Sequence, residues 1–411
     1  MNRRVFLIGA PLAARAFAAP QLPRIARITL TPVQGRFHKF VAMNSYDVRP
    51  KGHTYENTLV RVQTTAGVEG VGVMDYSTPD DALIKALTQL IGANPLSLYE
   101  MRDGQIIGRS QEFSGLLERY RHLDGPFYDL IGKLTERPCW RLIGEAARDR
   151  IEVYDGTLYF SDVWFRDRGV NAVVEEAVEA ARSGYAGMKF KVGRGWKWME
   201  KDEGLARDID VLNSVRQALG PGSKVLADAN NGYRDDFERA WALMRQTQEA
   251  NLYWMEEIFP DDRGDYLRLR ARMSEAGIKT LIAEGESARD PAELRPLLEP
   301  EPVIDVTQMD IRRGGFLDNL ASARLAEAAG VRAVPHNWGS QIGLFMGLHL
   351  AKAVKSVSAA EDDRSTCDAV LAKGYEFRDG LYTVSSEPGL GLEVNADVYK
   401  QKYQQAEIVV S

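Results

Sequence analysis

The chain is short of cysteine and histidine and has no cluster of basic residues, and each shortage narrows what it can be. Two cysteines, Cys139 and Cys367, in 411 residues match no zinc-ligand spacing. They read as two isolated thiols, with pairing open only in an oxidising compartment. Lysine and arginine number 52 against 58 aspartate and glutamate, without a basic block to grip a phosphate backbone, so no nucleic-acid partner is expected. No apolar run approaches the roughly 20 residues of a membrane-spanning helix, so no membrane partner is expected either. What the chain does have is length and a 45% hydrophobic content, enough for a large core plus a second domain.

Residues 1–20 read as a leader and not as fold. Asn2-Arg3-Arg4-Val5-Phe6-Leu7 resembles the twin-arginine export motif, and Ala16-Phe17-Ala18 supplies the small residues a signal peptidase needs. A periplasmic or otherwise exported protein is expected, the alternative being a cytoplasmic one with a disordered leader.

Residues 24–145 read as an α+β domain. Ile25 to Leu30, Thr58 to Gln63 and Gly67 to Met74 have strand patterns, with a turn at Thr65-Ala66-Gly67. Asp80 to Gly92, Leu98 to Gly108 and Phe127 to Lys133 have helical apolar spacing. Gly35 to Asn57 lacks a sustained period and is expected to be a lid or binding loop, joined over the site by Tyr76 to Asp80.

Residues 146–370 are organised by a ladder of charged residues: Lys189 and Lys191, Asp228, Glu256, Glu286, Asp310, His336 and Glu361. Each follows a short apolar or β-branched run and reads as the last residue of a strand. From Lys191 onward the steps are 24 to 37 residues, long enough for one strand and one returning helix. Repeated βα units with a reactive residue at each strand's carboxyl end predict a closed parallel barrel whose rim gathers them into one pocket. Residues 371–411, with Glu387-Pro388-Gly389-Leu390-Gly391, read as a turn-rich tail packing back on the first domain.

Asp228, Glu256 and Glu286 would stand side by side on that rim. Three carboxylates cannot converge uncompensated, because some would be forced to protonate. A hard divalent cation resolves this, and oxygen-only ligands favour Mg²⁺. Glu257 and Glu284 are near enough in sequence to replace Glu256 or Glu286. Lys189 and Lys191 lie two apart and so face the same side of a strand; the expectation is that, near each other and near a cation, each has its pKa lowered, which makes a lysine usable as a base. A carboxylate at Asp310 could fix the tautomer of His336 and leave its other nitrogen to move a proton.

These residues together resemble the mandelate racemase subgroup of the enolase superfamily. The likeness rests on Lys-Phe-Lys, the Asp228, Glu256 and Glu286 series, Asp310 followed by Arg313-Gly314-Gly315, His336 and Glu361. Thr58 to Val62 and Gly67 to Gly70 are similar to that family's capping domain. One departure is Ile258, where the family usually has proline. The resemblance implies a modified TIM barrel under an α+β N-terminal capping domain, with Mg²⁺ on a substrate carboxylate and abstraction of the α proton to give a metal-stabilised enediolate. It implies Lys191 as base with Lys189 as its electrostatic neighbour, His336 with Asp310 as second acid/base, and Glu361 as donor to the enediolate oxygen. Dehydration of a sugar acid to a 2-keto-3-deoxy acid is the first expectation and racemisation or epimerisation the second. A non-catalytic carboxylate-binding protein is third. A homo-oligomer is the expected assembly.

Overall fold

The computed structural model describes residues 22–411; the leader lies outside the described residues. The N-terminal sheet is a meander of β1 (Ile25–Val41), β2 (Gly52–Thr64) and β3 (Glu69–Val73), paired antiparallel from Ile25↔Thr64 onward. Alternating side chains bury Ile28, Leu30, Val60, Val62, Val71 and Val73, the period-2 pattern of strands with a covered face. The helix Asp81–Thr88 begins at Asp80, whose carboxylate accepts from the Leu83 N–H at 2.7 Å. The helix Asp124–Leu134 lies across β3.

Two expectations for this region are corrected. Leu98 to Gly108 is not helical: it forms the hairpin β4 (Tyr99–Arg102) and β5 (Gln105–Arg109) around Asp103-Gly104, both at positive φ. An Asp-Gly pair between apolar runs is a hairpin signal that outweighs the apparent helical spacing. The expected lid, Gly35 to Asn57, is mostly strand, with only residues 42–51 between β1 and β2. Its pattern was masked by polar residues on the exposed face. Gly35 is required there because the Tyr55 ring crosses it, and a Cβ would stand 1.9 Å from Tyr55 Cζ.

The barrel follows as eight parallel strands: β6 (Arg150–Leu158), β7 (Gly187–Lys191), β8 (Lys224–Asp228), β9 (Trp254–Glu256), β10 (Leu281–Glu284), β11 (Val306–Thr307), β12 (Arg332–Ala333) and β13 (Ala360–Asp362). Each pairs with its successor as far as β12, and β13 returns to β6 through Glu361↔Tyr154. A bridge at Ala333↔Val357 completes the ring. Tyr154, Leu226, Trp254, Ala283, Val306, Val334 and Ala359 form one buried cluster contributed by successive strands, the filled interior of the barrel. Long helices such as Lys201–Leu219 and Ile311–Ala328 return the chain between strands, whereas the connection from β10 to β11 shrinks to short turns around Pro291–Leu298. No helix among the described residues is long and apolar enough to cross a membrane. Cys139 and Cys367 are both buried and free.

The C-terminal segment returns to the N-terminal sheet, where Ile408–Val410 pairs with β1 at Ile28↔Val410. A single buried carboxylate fastens the layers. Asp129 accepts from the Val71 N–H at 2.7 Å, from the Leu390 N–H at 2.6 Å and from Lys133 Nζ at 2.7 Å. Gly389, at φ +69°, is where the tail presses closest, since a Cβ there would lie 2.2 Å from Asp129 Oδ1. Removing one partner of such a set leaves the others buried and unpaired. Asp129→Ala is therefore expected to lower stability by about 3–5 kcal/mol, read as a shift of the urea midpoint; an unshifted midpoint would show that the tail and sheet do not depend on it.

Candidate active site

The charged ladder does assemble at the carboxyl-terminal rim, though not every member ends a strand. Lys191, Asp228 and Glu256 are the last residues of β7, β8 and β9, paired in register as Lys191↔Asp228 and Asp228↔Glu256. Glu286 lies two residues beyond β10, Asp310 caps the helix after β11, His336 lies three residues beyond β12, and Glu361 sits in the middle of β13. Glu286 reaches the rim because Gly285 takes φ +99°. Ala283 faces the interior, so strict alternation would turn residue 286 outward, and the left-handed turn reverses it.

This settles the side on which the alternatives lie. The Glu284 carboxylate accepts from the Tyr266 hydroxyl in the helix Arg263–Ala276, so it belongs to the outer layer and not to the pocket. Glu257, at φ +43°, stays near the rim, where its Oε2 accepts from Asn230 Nδ2 at 3.1 Å.

Charge pairing dominates the floor of the pocket. Lys189, fully buried, contacts Glu256 Oε1 at 2.7 Å, Glu361 Oε1 at 2.8 Å and Asp228 Oδ2 at 3.3 Å. Lys191 donates to Asp228 Oδ2 and lies 5.1 Å from the centre of the Tyr159 ring. Burial works to lower both lysine pKa values, but Glu256 and Glu361 around Lys189, and Asp228 beside Lys191, outweigh it and hold both raised. Lys189 does act to lower Lys191, as expected, but Asp228 beside it outweighs that effect.

Glu256 and Glu257 are both pushed up, first by burial and then by neighbouring carboxylates: Asp228 and Glu361 for Glu256, Glu286 and Asp228 for Glu257. Glu286 Oε2 is buried without a hydrogen-bond partner. Crowded carboxylates, and a Glu286 oxygen that has an ion-pair contact with His336 Nε2 at 3.5 Å but no hydrogen bond, fit a hard cation. Among the described residues no three acidic or imidazole groups stand in a ready-made ligand shell, because Asp228 and Glu256 are turned onto the lysines.

On another side of the rim, His336 Nδ1 and Asp310 Oδ2 are 2.7 Å apart. Asp310 also takes the Arg312 and Arg313 N–H groups, each at 2.8 Å, and the Tyr76 hydroxyl at 2.8 Å. Saturated in this way it stays ionised, which directs Nδ1–H toward it and leaves His336 Nε2 facing Glu286 Oε2 at 3.5 Å and Glu361 Oε2 at 4.0 Å. Burial disfavours the imidazolium, but Glu286, Glu361 and Asp310 together raise its pKa to about 9.

Several groups escaped the sequence reading. Gln308 Nε2 and Trp254 Nε1 donate to Glu256 Oε2 at 2.8 and 3.1 Å; each stands two residues from a ladder residue, so the strand period could have found them. Arg312 could not be found that way. It is buried and clamps the cap over the rim, donating to Asn57 Oδ1 at 2.6 Å, to the Trp338 carbonyl at 2.9 Å and to the Met74 carbonyl at 3.0 Å. The 42–51 loop reaches in through Asn44 and Ser45, which donate to Asn230 Oδ1 and to its carbonyl, both at 3.1 Å.

Because the folded pKa of His336, about 9, exceeds its ordinary 6.5, its contribution to stability is full below about pH 6.5 and is lost as pH rises through about 9. In chelator-treated protein, the gap in urea midpoint between the parent and His336→Asn should be wider near pH ~6 than near pH ~10. Equal gaps would contradict this electrostatic account.

Known proteins resemble the chain in sequence and in fold. The profile of the enolase C-terminal domain-like family matches residues 172–398. A D-xylonate dehydratase of Haloferax volcanii is 26% identical over 360 residues, covering 84% of either chain. The crystal structure of a galacturonate dehydratase from a Geobacillus species, complexed with D-galacturonate and 5-keto-4-deoxy-D-galacturonate, superposes with a TM-score of 0.82 at 26% identity, covering 95% of this chain and 99% of that one. A mandelate racemase/muconate lactonizing protein, also from Geobacillus and complexed with magnesium/tartrate, gives a TM-score of 0.79 at 27% identity, covering 92% and 95%.

Proposed function

The chain belongs to the enolase C-terminal domain-like family, and from that premise we propose that it is a Mg²⁺-dependent hydro-lyase that converts a sugar acid to a 2-keto-3-deoxy acid. The observation that carries the reading is the placement of Glu286 and the buried Asp228 and Glu256 between two proton carriers, Lys191 on one side and the His336–Asp310 pair on the other. The dehydratase relatives support the choice of substrate class.

Asp228, Glu256 and Glu286 would hold the cation, which would supply positive charge against the substrate carboxylate. Lys191 then accepts the α proton, and the electron pair of that C–H bond becomes the new carbon–carbon double bond. The β C–O bond breaks as His336 Nε2 passes its proton to the departing hydroxyl, so that water leaves. A raised pKa suits His336 to the acid role, since it is charged at neutral pH before reaction. Glu361, 2.8 Å from Lys189, would donate toward the carboxylate oxygen only in its protonated form, since as the ionised partner of that lysine it can only accept. The enol so formed tautomerises to the 2-keto acid.

Asp228→Asn, Glu256→Gln and Glu286→Gln should each abolish turnover and weaken Mg²⁺ binding measured by calorimetry. Lys191→Ala should stop hydrogen exchange at the α carbon in D₂O, while His336→Asn should keep that exchange and block 2-keto product, with losses on the order of 10²-fold or more. A substrate of opposite α configuration exchanges the two roles. Optical inversion without 2-keto product would identify a racemase instead, and tight binding without either would leave only a carboxylate-binding protein.

The twin-arginine-like leader adds export to the proposal. A reporter carrying residues 1–19 should leave the cytoplasm and be retained when Arg3 and Arg4 become lysine.

A further inference from the structure

The acid side of the rim is finished by a residue of the cap. Tyr76, three residues beyond β3, donates its hydroxyl to Asp310 Oδ2 at 2.8 Å, the same oxygen that holds His336 Nδ1 at 2.7 Å. The other oxygen, Oδ1, takes the Arg312 and Arg313 N–H groups at 2.8 Å each. A carboxylate offers about four lone-pair sites, so Asp310 is filled by two backbone donors, one imidazole and one phenol. Of these donors Tyr76 alone comes from outside the barrel.

Tyr76 is held in place independently of that bond. The centre of its ring lies 4.4 and 5.0 Å from the Arg312 and Arg313 guanidiniums, an attraction between cation and aromatic face. Arg312 also donates to the Met74 and Asp75 carbonyls at 3.0 and 3.2 Å, immediately before Tyr76 in the chain. The Trp338 carbonyl stands 3.4 Å from the hydroxyl, and the nearer, charged oxygen of Asp310 takes the proton. The hydroxyl thus reaches Asp310 from a backbone and a ring that other contacts have already fixed, which is what a hydrogen bond needs to keep one geometry.

The consequence falls on His336. An imidazole held through Nδ1 by a fixed carboxylate oxygen has its ring plane set, and with it the direction of Nε2. Without the phenol, Oδ2 keeps His336 as its one donor, the carboxylate is free to turn about its Cβ–Cγ bond on that side, and the ring turns with it.

We propose that Tyr76 is a positioning residue, which completes the Asp310–His336 pair from the cap and so aims His336 Nε2 at the reaction centre. Its effect on turnover rests on the dehydration proposed above; its effect on the orientation of His336 does not.

Tyr76→Phe removes the hydroxyl and keeps the ring between the two arginines, so the cap stays anchored. The first readout needs no substrate. In chelator-treated protein labelled with ¹⁵N-histidine, the Nδ1–H resonance of His336 is identified as the one missing from His336→Asn. In Tyr76→Phe it should be displaced and should exchange faster with water, because the oxygen that holds it has lost its second donor. The aromatic ring is retained, so a merely structural role would leave the resonance where it was. The second readout separates the two steps. On a substrate whose α hydrogen Lys191 removes, Tyr76→Phe should lower kcat for 2-keto product about tenfold, the worth of one charge-assisted hydrogen bond, with KM and α-hydrogen exchange in D₂O as in the parent. Equal loss of exchange and product would overturn the proposal, as would a resonance unchanged in position and exchange rate. If the parent itself shows neither exchange nor product, the dehydration is refuted and the resonance alone decides the role of Tyr76.

Discussion

Everything at the rim depends on the compensation of buried charge. Lys189, Asp228 and Glu256 are fully buried, and an unpaired charge in such a place costs several kcal/mol. The register sets Lys191 opposite Asp228 but Asp228 opposite Glu256, two like charges, and the barrel can hold them only because Lys189 reaches Glu256, Glu361 and Asp228 from the neighbouring strand. The remaining lone pairs of Glu256 are filled by Trp254 and Gln308 from inside the barrel. Such an arrangement holds its geometry before a substrate arrives, which is what catalysis by charge stabilisation requires.

The same balance explains why burial fails to lower the pKa of either lysine or of the histidine. Three carboxylates surround Lys189 and one of them, Asp228, also holds Lys191, while His336 faces Glu286 and Glu361 with Asp310 behind it. The rim as it stands is a set of cations held by acids.

The cap completes what the barrel begins. Arg312 emerges from the barrel immediately after Asp310 and is anchored to the cap through Asn57 and Met74, so the dyad and the cover share one support. Tyr76 closes the same link from the cap side. Excluding water over the rim strengthens every interaction beneath it, which gives a physical reason for the N-terminal sheet to be fused to the barrel and braced by Asp129 and the returning tail.

The sequence by itself determined the barrel, because each βα unit is a local pattern of an apolar strand, a charged end and an amphipathic helix, repeated at a length that permits only a parallel return. It also determined which residues gather, since alternation along β7, β8 and β9 fixes the facing of Lys189, Lys191, Asp228 and Glu256. Tertiary structure decided the rest. Whether Glu284 or Glu286 enters the pocket turned on the backbone of Gly285, a single left-handed residue that periodicity does not register. The protonation of the lysines turned on distances between strands and not on their spacing within one. The extent of β1 and β2 turned on cross-strand partners such as Gly35 and Tyr55, and the place of Arg312 on a cap some 240 residues earlier in the chain. Local pattern encodes elements and facings, whereas charge state, register and closure depend on residues far apart in sequence that only folding brings together.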